Sequence, residues 1–177
     1  MKIFFSLPAI AVSLLVIWCL ACAIYDLKQR RLPNFLTLGM HIPALVVLIL
    51  TGQGLLGASV SSSFAAWGLA LLLTLPAYAF NWLGAGDVKF LAALGLLTGL
   101  NFLLTSYVFA GLLSGLIVLV WLTLQRLMPY VNLQLSSFNF QLPHIPRLNG
   151  KVLPFGAILT AGILTALLLN PAGEPLL

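Results

Sequence analysis

Charge is what this sequence has least of. Asp26, Asp87 and Glu174 are the only acidic residues among 177, and charged residues make up 6% of the chain. Hydrophobic residues make up 62%, and the mean hydropathy is +1.14. This composition excludes a disordered chain, which needs low hydrophobicity, and it is not that of a soluble domain. The sequence therefore predicts an all-α polytopic membrane protein.

Cysteine and histidine are also scarce. Cys19 and Cys22 are the only cysteines, they lie in an apolar stretch, and the chain has two histidines. A closed four-ligand zinc site cannot be built from the cysteines, and we expect neither a metal nor a cofactor. The net charge of +5 does not predict nucleic-acid binding, because seven of the eight basic residues lie near the ends of apolar runs. In that position they indicate membrane orientation.

About six apolar segments follow one another, and we predict that they form one helical membrane bundle, a single domain over 1–177. The segments are 3–25, 35–50, 59–82, 88–100, 102–124 and 152–169. The fourth is short, since its thirteen residues rise roughly 20 Å against a hydrocarbon core of roughly 30 Å. The polar stretch 125–151 is predicted to lie on the membrane surface or to form a short strand pair. Two glycine pairs are candidate close helix contacts: Gly95 with Gly99, and Gly111 with Gly115.

The distribution of basic residues predicts an orientation in the membrane. Lys2 and Glu174 fall on one side of the six-segment arrangement. The other seven basic residues fall on the opposite side: Lys28, Arg30, Arg31, Lys89, Arg126, Arg147 and Lys151. The positive-inside rule makes that side cytoplasmic and puts the N-terminus outside, which suits a cytoplasmic (inner) membrane. Two crossings separate Asp26 from Asp87, so both are predicted at the cytoplasmic face.

An aspartate between apolar segments is costly, and by default it indicates function. Two carboxylates in a partly desolvated site cannot both ionise easily, so such a pair shares a proton and can activate water for peptide hydrolysis. Asp26 and Asp87 are therefore candidate catalytic residues. The same acids would also suit a proton or ion path. Structural roles stay open too, with Asp87 capping the fourth segment and Asp26 neutralised by Lys28 or Arg30. Lys89 is interpreted as a membrane-surface anchor.

Three stretches resemble the motifs of the type IV prepilin peptidases, a family of polytopic membrane aspartic peptidases. Gly84-Ala85-Gly86-Asp87 resembles the family's G-x-G-D motif. The stretch 26–34 resembles its other aspartate motif, an Asp followed by basic residues and Ile/Leu-Pro-Asn. The stretch 151–156 resembles the Pro-Tyr/Phe-Gly segment that opens the last span. The order and spacing of all three agree with the family.

The resemblance implies that Asp26 and Asp87 are the catalytic pair. It also implies that the substrates are pilin or pseudopilin precursors, cut after a short basic leader at the cytoplasmic membrane face. Other motif positions would bind substrate or support the site: Gly84, Gly86, Lys89, Pro33, Asn34, Pro154 and Gly156.

Longer family members carry two C-x-x-C pairs in an N-terminal extension that is associated with N-methylation. Cys19 and Cys22 do not match those pairs, so we expect a peptidase without methyltransferase activity, similar to the short enzymes that process tight-adherence pilins. Presenilin-like proteases, which share G-x-G-D, are the nearer alternative. A small proton-coupled transporter is the alternative from a different class.

Overall fold

The computed structural model describes residues 7–135 and 154–169, and within them the chain is helical with no β-strand. This confirms the predicted all-helical class. The seven helices of the described part are α1 (Leu7–Gln29), α2 (Asn34–Thr37), α3 (His41–Thr51), α4 (Val60–Ala79), α5 (Ala85–Thr98), α6 (Leu100–Leu135) and α7 (Phe155–Leu169).

Four apolar helical stretches are long enough to cross a membrane, as a polytopic bundle requires. They are Ala9–Gln29, Asn34–Thr51, Val60–Ala79 and Leu100–Tyr130. The second of these stretches comprises two helices, α2 and α3, because turns at 38–40 interrupt the predicted segment 35–50. The two remaining helices are shorter, with 14 residues in α5 and 15 in α7. The N-terminus-outside orientation stays a prediction.

The short helix α5 lies at the centre of the protein. Every residue from Phe90 to Thr98 is buried. A Cβ atom added to Gly95 would lie 2.8 Å from the carbonyl carbon of Ala66, so glycine is what allows α4 to approach so closely. The predicted contact at Gly95 is thus present, and protein rather than lipid surrounds a helix too short to span the bilayer.

The long helix α6 differs from its prediction at both ends. It begins at Leu100 and continues to Leu135, so the part of the polar stretch up to 135 is helical rather than a strand. Extending an existing helix adds one hydrogen bond for each residue fixed. Polar and apolar residues alternate at 132–135 as in a strand, but four residues are too few to override that gain. The rest of that stretch, 136–151, lies outside the described residues.

The first part of α6 packs tightly on α7, but the second part does not. A Cβ atom at Gly162 of α7 would lie 2.6 Å from the backbone nitrogen of Ala110. Ala110 is also the last buried residue of α6 up to residue 130. Among residues 7–135 and 154–169, no neighbouring heavy atom lies within 4 Å of a Cβ added at Gly111 or Gly115. In this part of the chain the predicted helix contact of the pair is therefore absent.

Trp18 joins three helices near the cytoplasmic end predicted for the bundle. Its indole nitrogen on α1 donates a hydrogen bond to the carbonyl oxygen of Leu36 on α2, at 2.9 Å. Its ring packs edge-on against Phe90 of α5, with 4.9 Å between ring centroids. Phe90 is completely buried. Since Asp26 follows Trp18 by two turns and Asp87 precedes Phe90 by one, this contact helps to fix the two aspartate-bearing helices relative to each other.

Candidate active site

Asp26 lies in the last turn of α1 and is only 6% exposed. A carboxylate at a helix C-terminus faces the negative end of that helix's dipole, which is unfavourable. The fold offsets this, because Asp26 Oδ2 accepts a hydrogen bond from the backbone N–H of Ala157 at 3.1 Å. Ala157 belongs to the first turn of α7, where N–H groups have no partner within the helix and the dipole is positive. Asp26 therefore caps α7 from another helix.

The Pro-Phe-Gly stretch builds this contact. Pro154 immediately precedes α7, and its carbonyl oxygen accepts the N–H of Ile158 at 3.1 Å. A Cβ atom at Gly156 would lie 3.1 Å from Asp26 Oδ2 and 3.2 Å from Leu32 Cδ1. Glycine at this position leaves the carboxylate room to reach the start of α7. The structure thus supplies a physical reason for Gly156, which the sequence selected by resemblance alone.

Asp87 lies in the first turn of α5. Its Oδ2 accepts a hydrogen bond from the backbone N–H of Gly84, the N-cap residue, at 3.2 Å. Asp87 is thus not the N-cap itself, although it stabilises the helix start. Burial is the main reason that the pKa of Asp87 rises to about 6, and the nearby charge of Asp26 raises it further, against the lowering effect of the Gly84 N–H.

Gly86 brings the first turn of α5 against the loop that follows α1. A Cβ atom at Gly86 would lie 2.7 Å from Leu32 Cβ, closer than real side chains come. Leu32 also lies beside Gly156, as described above. Gly86 of the G-x-G-D motif and Gly156 of the Pro-Phe-Gly motif therefore both pack against Leu32 of the third motif, and this packing holds Asp26 and Asp87 at one site.

Lys89 and Asn34 form a contact that the sequence did not predict. The Lys89 ammonium donates to Asn34 Oδ1 at 2.8 Å. Pro33 is the N-cap residue of α2, in extended conformation, so the Pro-Asn pair begins that helix and presents Asn34 at its first position. The interpretation of Lys89 as an anchor overlooked this bond, which ties α5 to α2 within three residues of Asp87.

Both aspartates line one cavity of about 1520 Å³. Gly84, Gly86 and Asn34 also line this cavity. Lys89 and Gly156 do not line it, but Lys89 contacts Asn34 and Gly156 contacts Asp26. Cys19 and Cys22 are buried in α1 and lie outside this lining. In residues 7–135 and 154–169, no three His, Cys, Asp or Glu side chains come together as a metal site.

The sequence did not predict that α6 forms the other wall of the cavity. Nine lining residues come from one face of this helix: Gly111, Ser114, Gly115, Val118, Leu119, Leu122, Thr123, Arg126 and Leu127. The signal was present in the spacing of Gly111, Ser114, Gly115 and Val118, which places small residues on one helical face. That pattern was interpreted as helix packing. Arg126 also joins Arg30 and Arg31 in the lining.

A sequence model described as the Type IV leader peptidase family matches residues 13–122. The match covers more than half of the chain and includes both aspartates, and it ends before the Pro-Phe-Gly stretch. No curated protein and no solved structure matches the chain.

Proposed function

The chain belongs to the type IV leader peptidase family, and from this we propose that it is an aspartic endopeptidase whose catalytic pair is Asp26 and Asp87. Its substrates in this proposal are type IV pilin or pseudopilin precursors, from which it removes a short basic leader. The observation that carries the proposal is the shared cavity, in which the charge of Asp26 helps to raise the pKa of Asp87 to about 6.

Two carboxyl groups in this state suit the hydrolysis of a peptide bond. At about pH 6, near the pKa of Asp87, the pair shares one proton and titrates as a unit. The ionised member takes a proton from a water molecule, which then attacks the carbonyl carbon of the scissile bond. The neutral member donates its proton to the carbonyl oxygen, and a proton then passes to the departing amine. The surrounding contacts at Ala157, Gly84 and Leu32 hold both carboxyls in place.

We place the site at the cytoplasmic face of the inner membrane. Three arginines line the same cavity as the aspartates: Arg30, Arg31 and Arg126. Their clustering at one end of apolar helices supports a cytoplasmic position by the positive-inside rule. Membrane-impermeant labelling of a cysteine introduced in place of Arg31, in inverted and right-side-out vesicles, tests this. Labelling only in right-side-out vesicles would reverse the orientation.

The test of the catalytic pair is a cleavage assay with purified protein in detergent and a pilin precursor that carries its leader and hydrophobic stem. Asp26→Asn and Asp87→Asn are each expected to slow cleavage by about 10²–10⁴-fold or more, because general acid–base catalysis is lost. Glu174→Gln is the matched control, since Glu174 is the only other acidic residue in the chain. Helical circular dichroism and elution volume establish that each variant is folded.

The outcomes separate the roles open to these acids. A folded variant that cuts at the wild-type rate makes its aspartate structural and the mechanism wrong. A proton flux in vesicles that needs both aspartates, from a protein that cuts none of a panel of precursors, would replace the peptidase with the transporter.

A further inference from the structure

The face of α6 that lines the cavity has no role in the mechanism above. Its residues extend from Gly111 to Leu127, which at 1.5 Å per residue is about 24 Å of helix. The cavity of about 1520 Å³ exceeds the 300–1,000 Å³ that is typical of small-molecule pockets. Its dimensions therefore suit a polypeptide rather than a small ligand.

Two helix lengths show which part of α6 lies level with the aspartates. Asp87 lies eleven residues before the end of α5 at Thr98, and a single residue, Gly99, joins α5 to α6. Because the two helices pack together, a return of eleven residues along α6 from Leu100 reaches the depth of Asp87 again at about Gly111.

The contacts of α7 give the same depth independently. Gly162 packs against Ser106 and Ala110 of α6. Gly156 lies beside Asp26 and precedes Gly162 by six residues. Phe155, at the start of α7, lines the cavity together with the later residues of α6, so the two helices run in opposite directions. Six residues beyond the middle of the Ser106–Ala110 contact is about position 114. Both routes therefore place the segment 111–115 across the cavity from the aspartates.

This segment presents almost no side-chain bulk to the cavity. Gly111 and Gly115 have no Cβ, and no other described residue comes within 4 Å of a Cβ added at either position. The hydroxyl of Ser114 donates back to the carbonyl oxygen of Gly111 at 2.9 Å, so it satisfies itself within the helix. Small residues let another backbone come close, and an extended substrate needs that freedom opposite the groups that cut it.

We propose that Gly111, Ser114 and Gly115 form the wall on which the precursor docks opposite the catalytic aspartates. This rests on the proposed function and adds a specificity element to it. The occupant is the substrate chain around its cleavage site, because the docking wall and the aspartates bound one continuous cavity.

The first experiment fills the wall. Gly111→Leu and Gly115→Leu place side chains in the cleft, and each is expected to lower kcat/KM for the precursor by about 10²-fold, because a misplaced substrate loses its productive geometry. Gly68→Leu is the matched control, since Gly68 is also helical, exposed and without a neighbour within 4 Å of an added Cβ, but lies on α4 outside the cavity. The thermal stability of all three is expected to equal that of the wild type or to exceed it slightly, because each replaces a helical glycine.

The second experiment detects the occupant without relying on activity. A photo-crosslinking amino acid replaces Ser114 in the Asp87→Asn background, and another replaces Leu116, which is 58% exposed and does not line the cavity. Crosslinking to the precursor is expected from position 114 and not from position 116, and excess unlabelled precursor is expected to suppress it.

The results distinguish failure of the docking wall from failure of the proposed function. If wild-type protein cuts the precursor and both cavity variants cut as fast as Gly68→Leu, the wall is wrong and the peptidase stands. If nothing is cut but position 114 crosslinks to the precursor, docking stands and the catalytic proposal fails. Crosslinking from position 114 to a second copy, or to residues 136–153 of the same chain, would overturn the assigned occupant.

Discussion

Helix α5 and the later part of α6 (residues 111–130) are both apolar, yet the fold treats them in opposite ways. In α5, every residue from Phe90 to Thr98 is buried. In 111–130 of α6, none is buried, and Leu112, Leu116 and Leu119 are each more than half exposed. Hydrophobicity alone therefore does not decide which helix forms the core and which faces lipid and the cavity.

The difference lies in what surrounds equivalent glycines. A Cβ added at Gly95 of α5 would meet the backbone of Ala66 and Trp67, whereas one at Gly111 or Gly115 of α6 would meet no other described residue within 4 Å. Close backbone contact locks α5 between its neighbours and makes it a rigid mount for Asp87. Because α6 leaves α7 after Ala110, a space opens beside that mount. In the proposed function, the buried helix thus positions a catalytic residue, and the unpacked helix provides room for a substrate.

Truncating one large side chain in each region should give the largest contrast. Phe90→Ala removes a fully buried ring that packs on Trp18, and we expect it to cost about 3–5 kcal/mol of unfolding free energy. Leu116→Ala on α6 should stay within about 0.5 kcal/mol, since Leu116 is 58% exposed. Denaturant unfolding in detergent micelles measures both. Equal losses would mean that 111–130 is packed as tightly as α5.

A smaller contrast is expected from the same substitution at two glycines. Gly95→Ala forces a Cβ to within 2.8 Å of the Ala66 backbone, which should cost about 1–3 kcal/mol. Gly111→Ala adds a Cβ in open space and should stabilise the helix by up to about 1 kcal/mol. Melting temperatures of the two variants would therefore move in opposite directions. A loss of stability at Gly111 would reveal a neighbour packed against α6.

Features of the fold that depend on composition and hydrophobic periodicity could be predicted from the sequence. Alternating apolar runs and polar breaks gave the helices, the shortness of α5, and the meeting of Asp26 with Asp87 at one end. Hydropathy carries no information on which face of an apolar helix finds a partner. For that reason the Gly111/Gly115 pair was assigned to packing and the α6 wall was missed.

The contacts that hold the site were also beyond reach of the sequence. The bond from Ala157 to Asp26 joins residues 131 positions apart, and the bond from Lys89 to Asn34 joins residues 55 apart. Each bond forms only because the ends of different helices lie at the same depth in the fold. The resemblance to a family selected Gly156, Pro154, Asn34 and Lys89 as supporting residues, which stays a prediction, and it gave no contact for any of them.

The start of α5 should respond to pH, unlike its core. Folding raises the pKa of Asp87 from an ordinary 3.8 to about 6, so the folded state favours the neutral carboxyl. Its contribution to stability is therefore full below about pH 4 and is lost as pH rises through about 6, by up to about 3 kcal/mol. Asp87→Asn should flatten this part of the pH profile of unfolding.

The matched variant for that measurement is Asp26→Asn. It removes the neighbouring charge but not the burial, which is the larger cause, so the pH dependence should shrink without disappearing. A profile that is identical in wild type and Asp87→Asn would show that this carboxyl is solvated in solution.

The smallest expected effect comes from the bond between α5 and α2. If Lys89 clamps Asn34, then Lys89→Met and Asn34→Ala should each destabilise the protein by about 0.5–1.5 kcal/mol, and the double variant should lose no more than either single one. If Lys89 acts only as an anchor at the membrane surface, Asn34→Ala should have no effect and the losses should add.

Lys89→Arg separates the two roles of Lys89 further, because a planar guanidinium keeps the charge at the surface but does not reproduce the geometry of the ammonium bond. Since the bond joins α2, which follows the loop after Asp26, to the helix of Asp87, the clamp also predicts that kcat falls in both single variants with little change in KM. An anchor would leave kcat unchanged.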